Sequence, residues 1–113
     1  MRVRSVAWLA VLAVLGASVD AAVAEETRLS DLLRDPSSFD RRSLVLRGTL
    51  TKLQTHTSRK GDRYYTFRLT EGLREILVLV NGRPMCHEET TVTVRGRFEA
   101  ATKRVDATEV ACD

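Results

Sequence analysis

Apolar residues recur at every second position along much of this chain. Leu44, Leu46 and Leu50 share one side of a strand predicted over 43–53, while Val45, Arg47, Thr49 and Thr51 lie on the other. Tyr65, Phe67 and Leu69 alternate with Tyr64, Thr66 and Arg68 in a strand over 63–70. Val92, Val94 and Phe98 line one side of a strand over 90–99. Successive strand side chains point to opposite faces, so each stretch offers one face to a core and one to solvent. Between them, Ile76-Leu77-Val78-Leu79-Val80 is apolar on both faces of a strand over 75–81. Its β-branched members, Ile76, Val78 and Val80, are assigned to the core because they pack well on a pleated surface. A fifth strand covers 105–111. Two segments carry one signature: Leu44-Val45-Leu46-Arg47-Gly48-Thr49-Leu50 and Val92-Thr93-Val94-Arg95-Gly96-Arg97-Phe98. A glycine on the buried face lets a strand coil or another backbone come close.

The segments between strands read as turns. Ser30-Asp31-Leu32-Leu33-Arg34 forms a single helical turn capped by Ser30 and stopped by Pro36. Phe39 is expected to plug one end of a barrel. Residues 54–62 form a polar loop that places His56, Arg59 and Lys60 away from any strand, with Lys60-Gly61-Asp62 as its turn. Asn81-Gly82-Arg83-Pro84 breaks the third strand, 85–89 is too short for a full helix, and 100–104 is a tight basic loop.

The N-terminus reads as an export signal. Met1-Arg2-Val3-Arg4 is basic, Ser5 to Val19 is almost wholly apolar or small, and Ala22-Val23-Ala24 supplies a small-x-small cleavage pattern before Glu25. The apolar run is shorter than the ~20 residues of a spanning helix. Residues 1–24 are therefore expected to be removed, with an uncleaved membrane anchor as the alternative, and cleavage leaves residues 25–113 as a periplasmic or secreted domain without a transmembrane segment. Losing Arg2, Arg4 and Asp20 lowers the net charge from +3 to +2. That mild excess does not by itself argue for nucleic acid. An exported chain with an even cysteine count favours a Cys86–Cys112 disulfide. Closing that loop of about 26 residues contributes roughly 3.5 kcal/mol on the chain-entropy model.

Five short strands, a break after the third, and the glycines of the first and fourth resemble the OB-fold, a five-stranded Greek-key barrel. The pattern Leu-x-Leu-x-Gly-x-Leu, Tyr-x-Phe-x-Leu, Val-x-Val-x-Gly-x-Phe carries the resemblance from Leu29 to Cys112. It looks most like exported bacterial OB-fold proteins and anticodon-binding-like OB modules. Those usually place a helix where this chain has Gly82 to Glu89. The resemblance implies an all-β barrel in which the third and fifth strands run parallel. Their C-terminal ends, and so Cys86 and Cys112, then share one rim, as a disulfide requires.

OB-folds bind on the outer face of their second and third strands, flanked by two loops. Carried over, that face holds Tyr64, Thr66, Arg68, Leu77 and Leu79, with His56, Arg59, Lys60, Lys103 and Arg104 from the flanking loops at its edges. The expected role is a non-catalytic binding module, monomeric and without a cofactor, for an envelope protein, a glycan or another polyanion. Leu77 and Leu79 could serve a protein contact. Single-stranded nucleic acid is the alternative, although Tyr64 is the one convincing outward ring for stacking. Met85-Cys86-His87 offers soft ligands for a metal or haem-handling chaperone, with no second histidine nearby. Asp62, Glu71, Glu75, Glu88 and Glu89 read as surface carboxylates, and no nucleophile set or phosphate loop points to an enzyme.

Overall fold

The expected alternation becomes strand in the computed structural model, which describes residues 24–113. The export signal expected over 1–24 lies, apart from Ala24, outside the described residues. In chain order the elements are β1 (Glu25–Glu26), α1 (Leu29–Arg34), β2 (Ser43–Thr57), β3 (Arg63–Glu71), β4 (Arg74–Asn81), β5 (Thr91–Glu99) and β6 (Arg104–Cys112). A short 3-10 turn covers Pro36–Phe39. The sheet runs β1-β2-β3-β4-β6-β5 and closes through an additional β2–β5 pairing. The result is a closed five-stranded barrel of β2 to β6, with β4 and β6 parallel as the resemblance implied.

Closure depends on β2 serving two neighbours. Its first half, Ser43 to Thr49, pairs with β5, and Thr49 to Thr57 pairs with β3. Gly48 marks the changeover. A Cβ there would meet the Thr70 carbonyl oxygen at 2.5 Å, so only glycine lets β2 coil this tightly against β3. Gly96 does the same across the barrel, where a register shift in the β5–β6 pair adds a bulge. A Cβ on Gly96 would lie 2.5 Å from the Asp106 carbonyl oxygen and 2.6 Å from Ala107 Cα.

The core is the one that alternation and the β-branched choice in the third strand predict: Leu44, Leu46, Leu50, Tyr65, Phe67, Leu69, Ile76, Val78, Val80, Val92, Val94 and Phe98 are all buried, and Val105 joins them. Burying each of the larger side chains contributes about 1.5–3 kcal/mol. Burial also pushes the Tyr65 phenol's pKa up.

Three local expectations change. First, the lower end of the barrel, where β2 begins and β3 ends, is plugged by Leu29 and Leu32 of α1, both fully buried. Phe39 is only half-buried, packed against the core's edge with the Arg42 guanidinium 5.3 Å from its ring centre. Second, Ser30 is not the helix cap. Arg28 occupies that position without a side-chain bond, and the Leu29 amide donates instead to Glu71 Oε1 at 2.9 Å. Third, β2 runs on through Thr57, so the loop expected over 54–62 shrinks to a turn over 58–62. Opposite this turn, the segment after β4 contains no helix, and Cys86 is buried within it. Cys86 and Cys112 are disulfide-bonded, with Cα atoms 5.6 Å apart, tying that segment to the end of β6.

Candidate nucleic-acid and polyanion interface

The extra length of β2 builds the site. A bulge between Thr51 and Gln54 inserts one residue opposite β3, and Lys52 takes a left-handed conformation there (φ 53°). One added residue reverses which side chains face out. Up to Leu50 the even-numbered residues point inward; beyond the bulge Thr55 pairs with buried Tyr65, and His56 pairs with outward Tyr64. The amide of Leu53, freed by the bulge, donates to Glu88 Oε2 at 2.7 Å. Local alternation alone would have turned His56 inward.

His56 and Tyr64 stack, with ring centres 4.9 Å apart and planes inclined by 21°. His56 Nε2 lies 3.1 Å from Thr66 Oγ1, which fixes the imidazole's orientation. A groove of about 430 Å³ opens beside the pair, lined also by Arg63, Gly82, Arg83 and Pro84. The Gly82 amide donates to the Arg63 carbonyl at 2.9 Å, holding the start of the far wall against β3. Arg59 and Lys60 stand in the turn just beyond, together with Asp62. Among the described residues, Arg59, Lys60, Arg63, Arg68 and Arg83 make no ion pair.

The outer face follows the cross-strand register. Tyr64 lies beside Asn81, Thr66 beside Leu79 and Arg68 beside Leu77. Leu79 and Leu77 in turn neighbour Asp106 and Arg104 of β6. The structure thus brings together Tyr64, Thr66, Arg68, Leu77 and Leu79, all half-buried. Leu77 and Leu79 form a narrow strip hemmed by polar and charged neighbours rather than a broad apolar patch.

Arg104 and Lys103 depart from expectation. Arg104 grips Asp106 through both carboxylate oxygens, Nε–Oδ1 at 2.7 Å and the second bond at 3.2 Å. Those bonds push its pKa up and neutralise it as a ligand cation. Lys103 lies in the turn before β6, at the opposite end of the barrel from Arg59 and Lys60. Arg59, Lys60, Arg63 and Arg83 therefore gather at one end of the face, around the stacked pair, while Arg68 lies further along β3 beside Leu77.

The soft-ligand reading of Met85-Cys86-His87 loses its thiolate, because the Cys86 sulfur is bonded to Cys112. Among the described residues no three His, Cys, Asp or Glu side chains gather as a metal site. No helix of the described residues is long and apolar enough to cross a membrane.

No protein-family model matches the chain, and no curated protein sequence matches it. Among solved structures, the crystal structure of yeast Stn1 and Ten1 is similar, with a TM-score of 0.71 at 8% identity. The likeness covers 82% of this chain and 64% of that one, so the chain spans less than two thirds of that neighbour's length. The barrel is an OB-fold. At this identity the likeness speaks for the fold alone. The OB-fold's usual binding face coincides with the β3–β4 surface that carries the His56–Tyr64 pair.

The residues that sequence reasoning missed are Arg63 and Arg83, along with the stacking role of His56. One signal for the longer strand was available. Thr49, Thr51, Thr55 and Thr57 are β-branched residues at odd positions, a pattern that favours strand over loop. Nothing comparable marks Arg83, which reaches the groove only because the chain folds back after β4.

Proposed function

We propose that this OB-fold domain is a non-catalytic binding module for an extended polyanion lying along the β3–β4 face. The observation that carries this reading is the stacked His56–Tyr64 pair beside a groove whose cations, Arg63 and Arg83, have no acidic partner among the described residues. Unpaired guanidiniums form charge-assisted bonds to phosphate or sulfate oxygens, and a stacked ring pair adds a flat platform. The ligand classes are a sulfated or acidic glycan and single-stranded nucleic acid. The ring pair favours nucleic acid, because every base has a face that stacks and a sugar ring stacks less well. Export, which would favour an envelope glycan or protein, remains part of the proposal.

The test is fluorescence anisotropy with a labelled thymidine oligonucleotide and a labelled heparin fragment. Wild-type affinity for the oligonucleotide should fall steeply with salt, with a log–log slope of about −3.5 if all five free cations meet phosphate. Tyr64→Ala should weaken oligonucleotide binding by about 1–3 kcal/mol and leave heparin binding nearly unchanged. A salt-insensitive interaction, or equal loss for both probes, would reject stacking on this pair. Arg63→Ala should reduce the oligonucleotide's salt slope by about 0.7 and lower that for heparin as well.

A further inference from the structure

The far wall of the groove, residues 83–86, is held to the barrel in an unusual way. Gly82 bonds to Arg63, and the chain is next bonded to β2 at Glu88, whose carboxylate accepts from the Leu53 amide, and at Glu89, whose amide donates to the Leu50 carbonyl at 2.7 Å. Among the described residues, no backbone–backbone hydrogen bond joins 83–86 to a strand, and the Met85 carbonyl lies 3.6 Å from Cys112 Sγ of β6. Arg83 makes no ion pair there. The covalent tie is the disulfide from buried Cys86 to exposed Cys112. Arg83 and Pro84, which line the groove, stand three and two residues before that tie.

We propose that the Cys86–Cys112 disulfide is a redox latch on the groove. Its reduction releases the Arg83–Pro84 wall and weakens ligand binding while the barrel stays folded. The inference rests on the groove being the polyanion site. The reductant is a dithiol. Its thiolate attacks the exposed Cys112 sulfur and expels the Cys86 thiolate, giving a mixed disulfide. The dithiol's second thiolate then displaces Cys112, leaving the reductant oxidised by two electrons and both cysteines as thiols once they take up protons. With the tie broken, the wall is held by packing of the Cys86 side chain and by the weak contact of the Cys112 thiol with the Met85 carbonyl, 3.6 Å away. Arg83 then loses its fixed position against His56 and Tyr64, and pre-organisation of the contact is lost.

The experiment compares oxidised and dithiol-reduced protein at 25 °C by two readouts. One is anisotropy with the labelled thymidine oligonucleotide. The other is site-resolved amide hydrogen exchange without probe. The expected result is binding about tenfold weaker after reduction, the loss of roughly one charge-assisted contact. Exchange should accelerate at Gly82 and Glu89, whose bonded amides anchor the two ends of the wall, while β2, β3 and β5 stay protected. Arg83→Ala in the oxidised protein should lose affinity similarly and become insensitive to the reductant. Equal affinity in both redox forms, with unchanged exchange at Gly82 and Glu89, overturns the latch and leaves the groove reading standing. Loss of protection throughout the barrel also overturns it, because a latch frees one segment rather than the fold. Absence of binding by the oxidised protein overturns the groove reading, and the latch with it.

Discussion

Gly96→Ala should destabilise the domain by about 3 kcal/mol or more, at the upper end for a single added methyl group. The expected clash is with backbone, at 2.5 Å to the Asp106 carbonyl oxygen and 2.6 Å to Ala107 Cα. A flexible side chain could rotate away from a new Cβ. Two atoms of a paired strand cannot move without opening the β5–β6 ladder. Gly48→Ala meets one backbone oxygen at 2.5 Å and otherwise the Leu69 side chain at 3.2 Å, so its cost should be somewhat smaller. Urea unfolding of both variants, followed by far-ultraviolet circular dichroism, checks the ranking. A Gly96→Ala variant within 1 kcal/mol of the parent would show that the strands do not approach as closely as described.

Replacing both disulfide cysteines by alanine should cost about 3.5 kcal/mol, mainly by freeing the unfolded chain. The bond joins residues 26 positions apart. A domain of this size has only about 4–13 kcal/mol of net stability, so the loss is a large fraction. The variant should still fold at 25 °C and melt well below the parent. Alanine is the appropriate replacement because position 86 is 6% exposed and a serine hydroxyl there would need a partner. Equal urea midpoints for the parent and the double variant would show that the 86–112 loop closure contributes nothing to stability. This measurement is separate from the latch, which concerns where the folded protein loosens rather than how much stability it loses.

The candidate site was only half legible. Tyr64, Thr66 and Arg68 were readable because Tyr65, Phe67 and Leu69 fix their strand's inward face, and the outward face follows by parity. Leu77 and Leu79 followed from the β-branched character of their neighbours. His56 was placed in a loop, since a bulge changes parity without leaving a mark on hydrophobic spacing. The ion pair of Arg104 was not foreseen for a related reason. Its partner Asp106 is two positions away, and at that spacing in a strand both side chains lie on one face, where their charges cancel. Arg63 and Arg83 gained meaning only when the groove between β3 and the segment after β4 was seen.

The amino-acid pattern on its own determined the existence and order of the five barrel strands, the inward set from Leu44 to Phe98, the positions where glycine is needed, and which cysteines could pair. These properties follow from the period-2 geometry of a strand and from the steric demand of a single Cβ, both local. Tertiary structure decided the rest: which residues plug the lower end, which way His56 faces, and where unpaired cations collect. Each depends on a partner distant in the chain, such as Glu71 for the Leu29 amide, Glu88 for the bulge at Leu53, and Cys112 for the wall that carries Arg83. Hydrophobic periodicity carries no term for such long-range pairings, so only the closed barrel could reveal them.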